Sequence, residues 1–359
     1  MGIDFDSSRW QRVKKEYDAW WAGRLRRPLI SITVAGRDPG RPQPNLPSHH
    51  FTAFYDLSIP AEAIVDRWDY DLSCHHFYGS AIPHVWPNFG PGVAAAFMGA
   101  KLEVSAEAGT VWFHPAQEKP ISEIHFEYDP QNPWVRRIAD IYAAAADRWQ
   151  GLVQVGMTDL GGNLDLLSTF RPAEQLLYDL YDHPDHVKRL IWEAHELWWR
   201  YFNELDSVIR RVNPGYSAWP GFYSHQSHYM LQCDFCYMIS PSMFDEFVRP
   251  EIAASCRRMV NGFYHLDGPG QLPHLDSLLS IEQLKGIQWV PGAGNADSKL
   301  WPEVYSKIQA AGKLSQIYGS ADTLDVLAED MDSLQGILLM TACATERQAL
   351  SLLAKFEVE

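Results

Sequence analysis

The most chemically suggestive residues in the sequence are His265 and Asp267, which follow the short apolar run Gly262-Phe263-Tyr264. At i and i+2 they face one side if the strand persists and diverge if the chain turns. An imidazole beside a carboxylate serves proton transfer or metal ligation. A second apolar run, Ile287 to Val290, ends in the polar, Gly-rich tip Pro291-Gly292-Ala293-Gly294-Asn295-Ala296-Asp297. Between the runs, Leu272 to Leu284 has helical spacing. Strand, polar tip, helix, strand and Gly-rich tip make one unit of a parallel α/β fold, whose chemistry sits beyond the strands' carboxyl ends. The blander reading is that Asp267 caps the next helix and His265 hydrogen-bonds inside.

Other candidates are scattered. Cys233-Asp234-Phe235-Cys236 contains Cys-x-x-Cys with His225 and His228 nearby, but no second Cys pair at matching spacing supports a zinc knuckle. Cys343 follows the apolar run Gly336 to Met340, where it reads equally as a reactive thiol or a small buried side chain. His84 and Trp86, with His75, His76 and Asn88, form a His- and Trp-rich stretch that suits either a ligand pocket or a satisfied core. Asn163 and Asp165, after Gly161-Gly162, read as substrate contacts or as a helix N-cap. No G-x-G-x-x-G or P-loop pattern is present.

These residues need a scaffold. The pattern predicts a helix from Ser7 or Ser8 to Trp21 and strands at Pro28 to Ala35, around Ala81-Ile82, and at Leu152 to Met157. Further strands are expected at Tyr216 to Phe222, within the central unit, at Leu314 to Tyr318 and at Gly336 to Leu339. Short strands at Leu102 to Val104 and Val111 to Phe113 form an excursion. Helices are expected at Ile59 to Tyr70, Pro133 to Trp149, Pro172 to Tyr181, Pro184 to Arg210, Ser240 to Val260, Trp301 to Ala310, Ala321 to Asp330 and from Thr345. About eight β-then-α units without a linker predict an α/β fold, a single (β/α)8 TIM barrel spanning residues 1–359, with residues 1–27 as an N-terminal helical addition; a doubly wound sheet is the alternative.

Composition narrows the classes. At 359 residues, 46% hydrophobic and net charge −15, the chain suits a large enzyme core and lacks the basic stripe of a nucleic-acid binder. Five dispersed cysteines do not make a disulfide scaffold. There is neither a signal-peptide core nor an 18-residue apolar run, and Asp6 breaks the myristoylation pattern. The expectation is a cytoplasmic protein with a small-molecule substrate and no membrane or nucleic-acid partner.

Several motifs together resemble the uroporphyrinogen decarboxylase superfamily, which includes a cofactor-free decarboxylase and corrinoid-linked zinc methyltransferases. Phe244 to Pro250 resembles its helix after the fifth strand, and His265 a His ending the sixth. Gly294-Asn295-Ala296-Asp297 resembles its Gly-Asn-x-Asp turn, and His183 to Val187 the start of its long helix. The methyltransferase branch has a His-x-Cys zinc site with a distant second Cys. The resemblance therefore implies a site of His265, Asp267 and Cys343, with Asp267 standing where Cys is expected. It also implies an acidic or polar residue at the exit carrying Asp234. Ala35-Gly36-Arg37 resembles the decarboxylase's Arg loop, although Thr33 stands where another Arg belongs, which disfavours uroporphyrinogen itself.

On this resemblance the first expectation is a corrinoid- or folate-linked methyltransferase using zinc, with a corrinoid protein as partner and a homodimer as assembly. The second is a metal-free decarboxylase, with His265 and Asp234 or Asp267 as acid/base groups and Arg37 anchoring a carboxylate. The third is a non-catalytic ligand-binding barrel. In each, Trp86, His84, Asn163, Asp165 and Asn295 are substrate-binding candidates.

Overall fold

Asp6 starts the first helix, Ser7–Trp21, by accepting the Arg9 backbone N–H at 2.9 Å. Trp10, Val13, Tyr17 and Trp20 recur at helical spacing, and all four are buried. In this computed structural model, which describes residues 2–358, that face lies across the amino ends of the later strands. Trp20 Nε1 donates to Gly336 O at 3.1 Å and Trp21 Nε1 to Tyr223 O at 2.9 Å. Both rings pack against Phe222 and Phe263.

The strands are β1 (Leu29–Ala35), β2 (His75–Gly79), β3 (His84–Val85), β4 (Lys101–Ser105), β5 (Thr110–His114), β6 (Gln154–Val155), β7 (His228–Gln232), β8 (Asn261–Asp267), β9 (Leu284–Val290), β10 (Leu314–Tyr318) and β11 (Ile337–Cys343). Seven of them form one sheet in the order β2-β1-β11-β10-β9-β8-β7. Its pairings are parallel except β1–β2. A parallel β3–β6 pair and the antiparallel β4–β5 hairpin stand apart. The fold is α/β with a parallel sheet. No ladder joins the seven strands to β3–β6, so the structure does not show a completed eight-stranded ring.

Two departures from the expected strands have local causes. Ala81-Ile82 is not a strand. The chain instead runs antiparallel along β1 as β2 and turns at Gly79, at φ 58°, where a Cβ would lie 2.3 Å from Ile30 O. Tyr216 to Phe222 is an irregular strap held by one bridge, Tyr216 to Ser224, because Pro214, Gly215, Pro220 and Gly221 interrupt any ladder. The strand at this place is β7, and Asp234 follows its end.

The helices largely fall where their spacing puts them. Pro133–Trp149 is capped by Asn132, whose side chain accepts from Trp134 N and Val135 N. Pro184–Ile209 buries a continuous stripe from Val187 to Ile209. The region Ser240 to Val260 divides into Pro241–Phe247 and Arg249–Arg258 before Pro250. A helix not anticipated, Asn163–Phe170, follows β6 and shapes the site. No helix among the described residues is long and apolar enough to cross a membrane.

Candidate functional site

Register decides which side chains meet. Across the parallel sheet Gln232 pairs with His265, His265 with Gln288, and Gln288 with Gln316. Paired residues face the same side, so four polar side chains form one row on one face. Asp267 lies two residues beyond His265 on that face, and Asp234 two beyond Gln232. The result is a converging group: Asp234, His265 and Asp267 offer ligand atoms that all lie within 4.8 Å of one another. His265 and Asp267 are half-buried, and Asp234 reaches solvent.

Asp165 builds the frame around Asp234. From the first turn of Asn163–Phe170 its carboxylate accepts the backbone N–H of Asp234 at 3.0 Å and of Phe235 at 2.7 Å. It thereby caps the short turn Asp234–Met238 that aims Asp234. Asp159, beyond β6, accepts from Gly161 N at 2.9 Å and Gln232 Nε2 at 3.3 Å. Burial pushes the Asp165 carboxyl up to about 8, with the Asp234 charge adding to it. Burial likewise pushes Asp159 up to about 7, with the Gly161 N–H opposing and Asp234 adding. The protein around Asp234 also raises its pKa, despite that side chain's contact with solvent; the His265 charge opposes this and Asp267 reinforces it. Crowded carboxyls of this kind resist ionising together and gain from a cation.

A cavity of about 420 Å³ opens beside the group. The β4–β5 hairpin covers it with Trp112 and Phe113, Phe235 and Met238 add apolar wall, and Gln232, Asp165 and Asp234 supply the polar side. Among the described residues, its lining holds no lysine or arginine. A larger depression, about 830 Å³, lies away from these groups between Ser320–Asp325 and Ala344–Lys355. There Lys355 pairs with Asp325 at 2.6 Å.

The remaining candidates are placed elsewhere. The ligand group that the resemblance set on His265, Asp267 and Cys343 forms instead, among the described residues, from Asp234, His265 and Asp267. Strand alternation is the reason. Leu338 pairs with Gln316 and shares its face, and Cys343, an odd number of residues on, falls on the other face, where it is 5% exposed. Arg37 Nη1 donates to Gly2 O at 3.0 Å and Ser73 O at 2.7 Å, tying down the chain's start. The His84 ring wedges between Gly156 and Gly221, where added Cβ atoms would lie 2.6 and 3.0 Å from it, and burial lowers its pKa to about 4. Trp86 is half-buried near β3. Asn163 is buried as the first residue of its helix, its Oδ1 unpartnered, and it caps nothing. Asn295 folds back on Pro291 O at 2.8 Å. Cys233 and Cys236 are buried and free, and burial raises both thiols.

Sequence reasoning overlooked Asp159, Gln232, Gln288, Gln316, Trp219 and Tyr318. Trp219 meets the His265 ring edge-to-face, with centroids 5.1 Å apart. The overlooked signal was glutamine inside apolar strands, as in Ile287-Gln288-Trp289 and Ser315-Gln316-Ile317.

No family model matches the chain, and no curated protein matches it. Among solved structures it is similar to a methyltransferase from Methanosarcina mazei, with TM-score 0.58 and 14% identity over 96% of this chain and 97% of that one. At that identity the likeness shows a shared fold.

Proposed function

We propose that the chain is a methyltransferase-type enzyme whose Asp234, His265 and Asp267 hold a divalent cation beside the substrate cavity. The observation that carries this reading is the convergence of those three side chains at the exits of β7 and β8. The residues fit such an ion. One imidazole and two carboxylates can supply three ligands, the carboxylates balance a double charge, and the crowded acids around them favour a cation. The set is harder than a thiolate zinc centre and suits zinc or a more oxygen-loving divalent ion. Bound there, the ion supplies Lewis-acid activation of a coordinated nucleophile.

The chain's own groups do the rest. Asp165 fixes the backbone at Asp234, and the hairpin's Trp112 and Phe113 cover the cavity. Asp159 holds the Gln232 amide by accepting from its Nε2 at 3.3 Å. A corrinoid- or folate-borne methyl group as donor, a corrinoid protein as its carrier, and a homodimer are carried by the sequence resemblance.

Metal analysis after reconstitution with zinc or manganese tests the site. Near-stoichiometric cation is expected in the wild type and in Cys343→Ser, and is lost in His265→Ala and Asp234→Asn. A wild type that binds neither ion overturns the cation site and favours acid/base chemistry by His265 with Asp234 or Asp267.

A further inference from the structure

His265 has two ring nitrogens, and the structure commits one of them. Nδ1 meets Gln288 Oε1. Gln288 Nε2 in turn donates to Gln316 Oε1. Tyr318 donates its own proton to the backbone carbonyl of Pro220 at 2.8 Å. Gln288, Gln316 and Tyr318 all belong to the face that carries His265.

Gln288 turns its NH2 toward Gln316 Oε1 and its amide oxygen toward His265. An amide oxygen only accepts, so Nδ1 must carry the hydrogen. Nε2 is then left with the lone pair. The same strap, residues 217–221, supplies Trp219, which braces the ring edge-to-face.

We propose that Gln288 is a positioning residue that holds His265 as the Nδ1–H tautomer and leaves its Nε2 lone pair for the cation that Asp234 and Asp267 would share. This deepens the cation-site reading above, and its affinity readout rests on that reading. The role is that of groups behind a metal-bound histidine, which set tautomer and ring orientation and typically change metal affinity 10–100-fold. Here the task falls to a buried amide, which adds no charge to a site already rich in carboxylates.

The test uses the full chain with 15N-labelled histidine and no added metal, the His265 signal being assigned by its loss in His265→Gln. The wild type is expected to show the Nδ1–H form. Gln288→Met, similar in size but without the acceptor, loses that form, whereas Gln288→Glu retains it because a carboxylate accepts the same hydrogen. Zinc or manganese titrated into the same samples binds about 10–100-fold more weakly in Gln288→Met and near wild-type strength in Gln288→Glu. An Nε2–H form in the wild type, or tautomer and affinity unchanged in Gln288→Met, overturns the proposal. Wild type that shows the Nδ1–H form, lost in Gln288→Met, yet binds neither ion sinks the cation reading and leaves the positioning role standing.

Discussion

Replacing Asp159 by Asn should stabilise the protein in alkaline solution and leave it nearly unchanged in acid. Asp159 is 7% exposed, and burial raises its pKa from 3.8 to about 7. A carboxyl raised in the folded state binds its proton more tightly there than in the unfolded chain. Its contribution is therefore intact below about pH 4, erodes as pH rises, and is gone above about pH 7. At about 1.36 kcal/mol for each pK unit, the full penalty in the wild type is about 4 kcal/mol. Asn keeps an oxygen for the N–H of Gly161 and for Gln232 Nε2 and has no charge to bury. Urea unfolding of metal-free wild type and Asp159→Asn at about pH 4.5 and about pH 8.5 measures the difference. The gap should widen toward high pH by several kcal/mol. The comparison must be between the two proteins, because His84 and His228 titrate with the opposite sign in an overlapping range. A variant less stable than wild type at high pH, or a gap independent of pH, would refute the reasoning.

Two further outcomes follow. His228 is 1% exposed among Trp21, Phe222 and Phe263, and burial lowers its pKa from 6.5 to about 4. Its stabilising contribution is present above about pH 6.5 and lost toward pH 4, so the advantage of wild type over His228→Gln should shrink by about 3 kcal/mol across that range in urea melts; a constant advantage would contradict this. At Gly162, an added Cβ would lie 2.1 Å from Gln232 O and 2.7 Å from Asp165 Oδ2. Gly162→Ala should cost about 1–3 kcal/mol and, by pushing Asp165 off the Asp234 backbone, weaken cation binding; wild-type values of both would show that the frame yields without loss.

The parts of the site that were legible in sequence are those announced by position. His265 and Asp267 stand at the end of an apolar run, and Asp234 sits just past β7, although the sequence pattern puts that strand on the Pro- and Gly-broken strap before it. Cys343 also stands at a strand end, yet strand alternation turns it to the other face. That parity depends on where β11 begins, which the run Ile337 to Met340 does not reveal. Glutamine inside an apolar run is visible in the sequence, but the row it forms exists only across strands. Gln232, Gln288 and Gln316 are widely separated in the chain, and the parallel register aligns them. Asp159 follows closely on the apolar run Leu152 to Met157, but its raised pKa comes from burial, which composition does not encode.

The order of the sheet also has a consequence for how the chain reaches this state. Among the described residues β1 pairs with β2 and β11, and Val34 is registered against Cys343. The first helix hydrogen-bonds to carbonyls of Leu152, Tyr223 and Gly336. During synthesis, the apolar face of that helix and one whole edge of β1 emerge long before their partners. Closure over such sequence distances is slow, and an unpaired strand edge meanwhile invites association with other chains. The segment from the first helix through β1 is thus made well before its partners and is among the last to be secured, so refolding from denaturant should depend on protein concentration more steeply than equilibrium stability does.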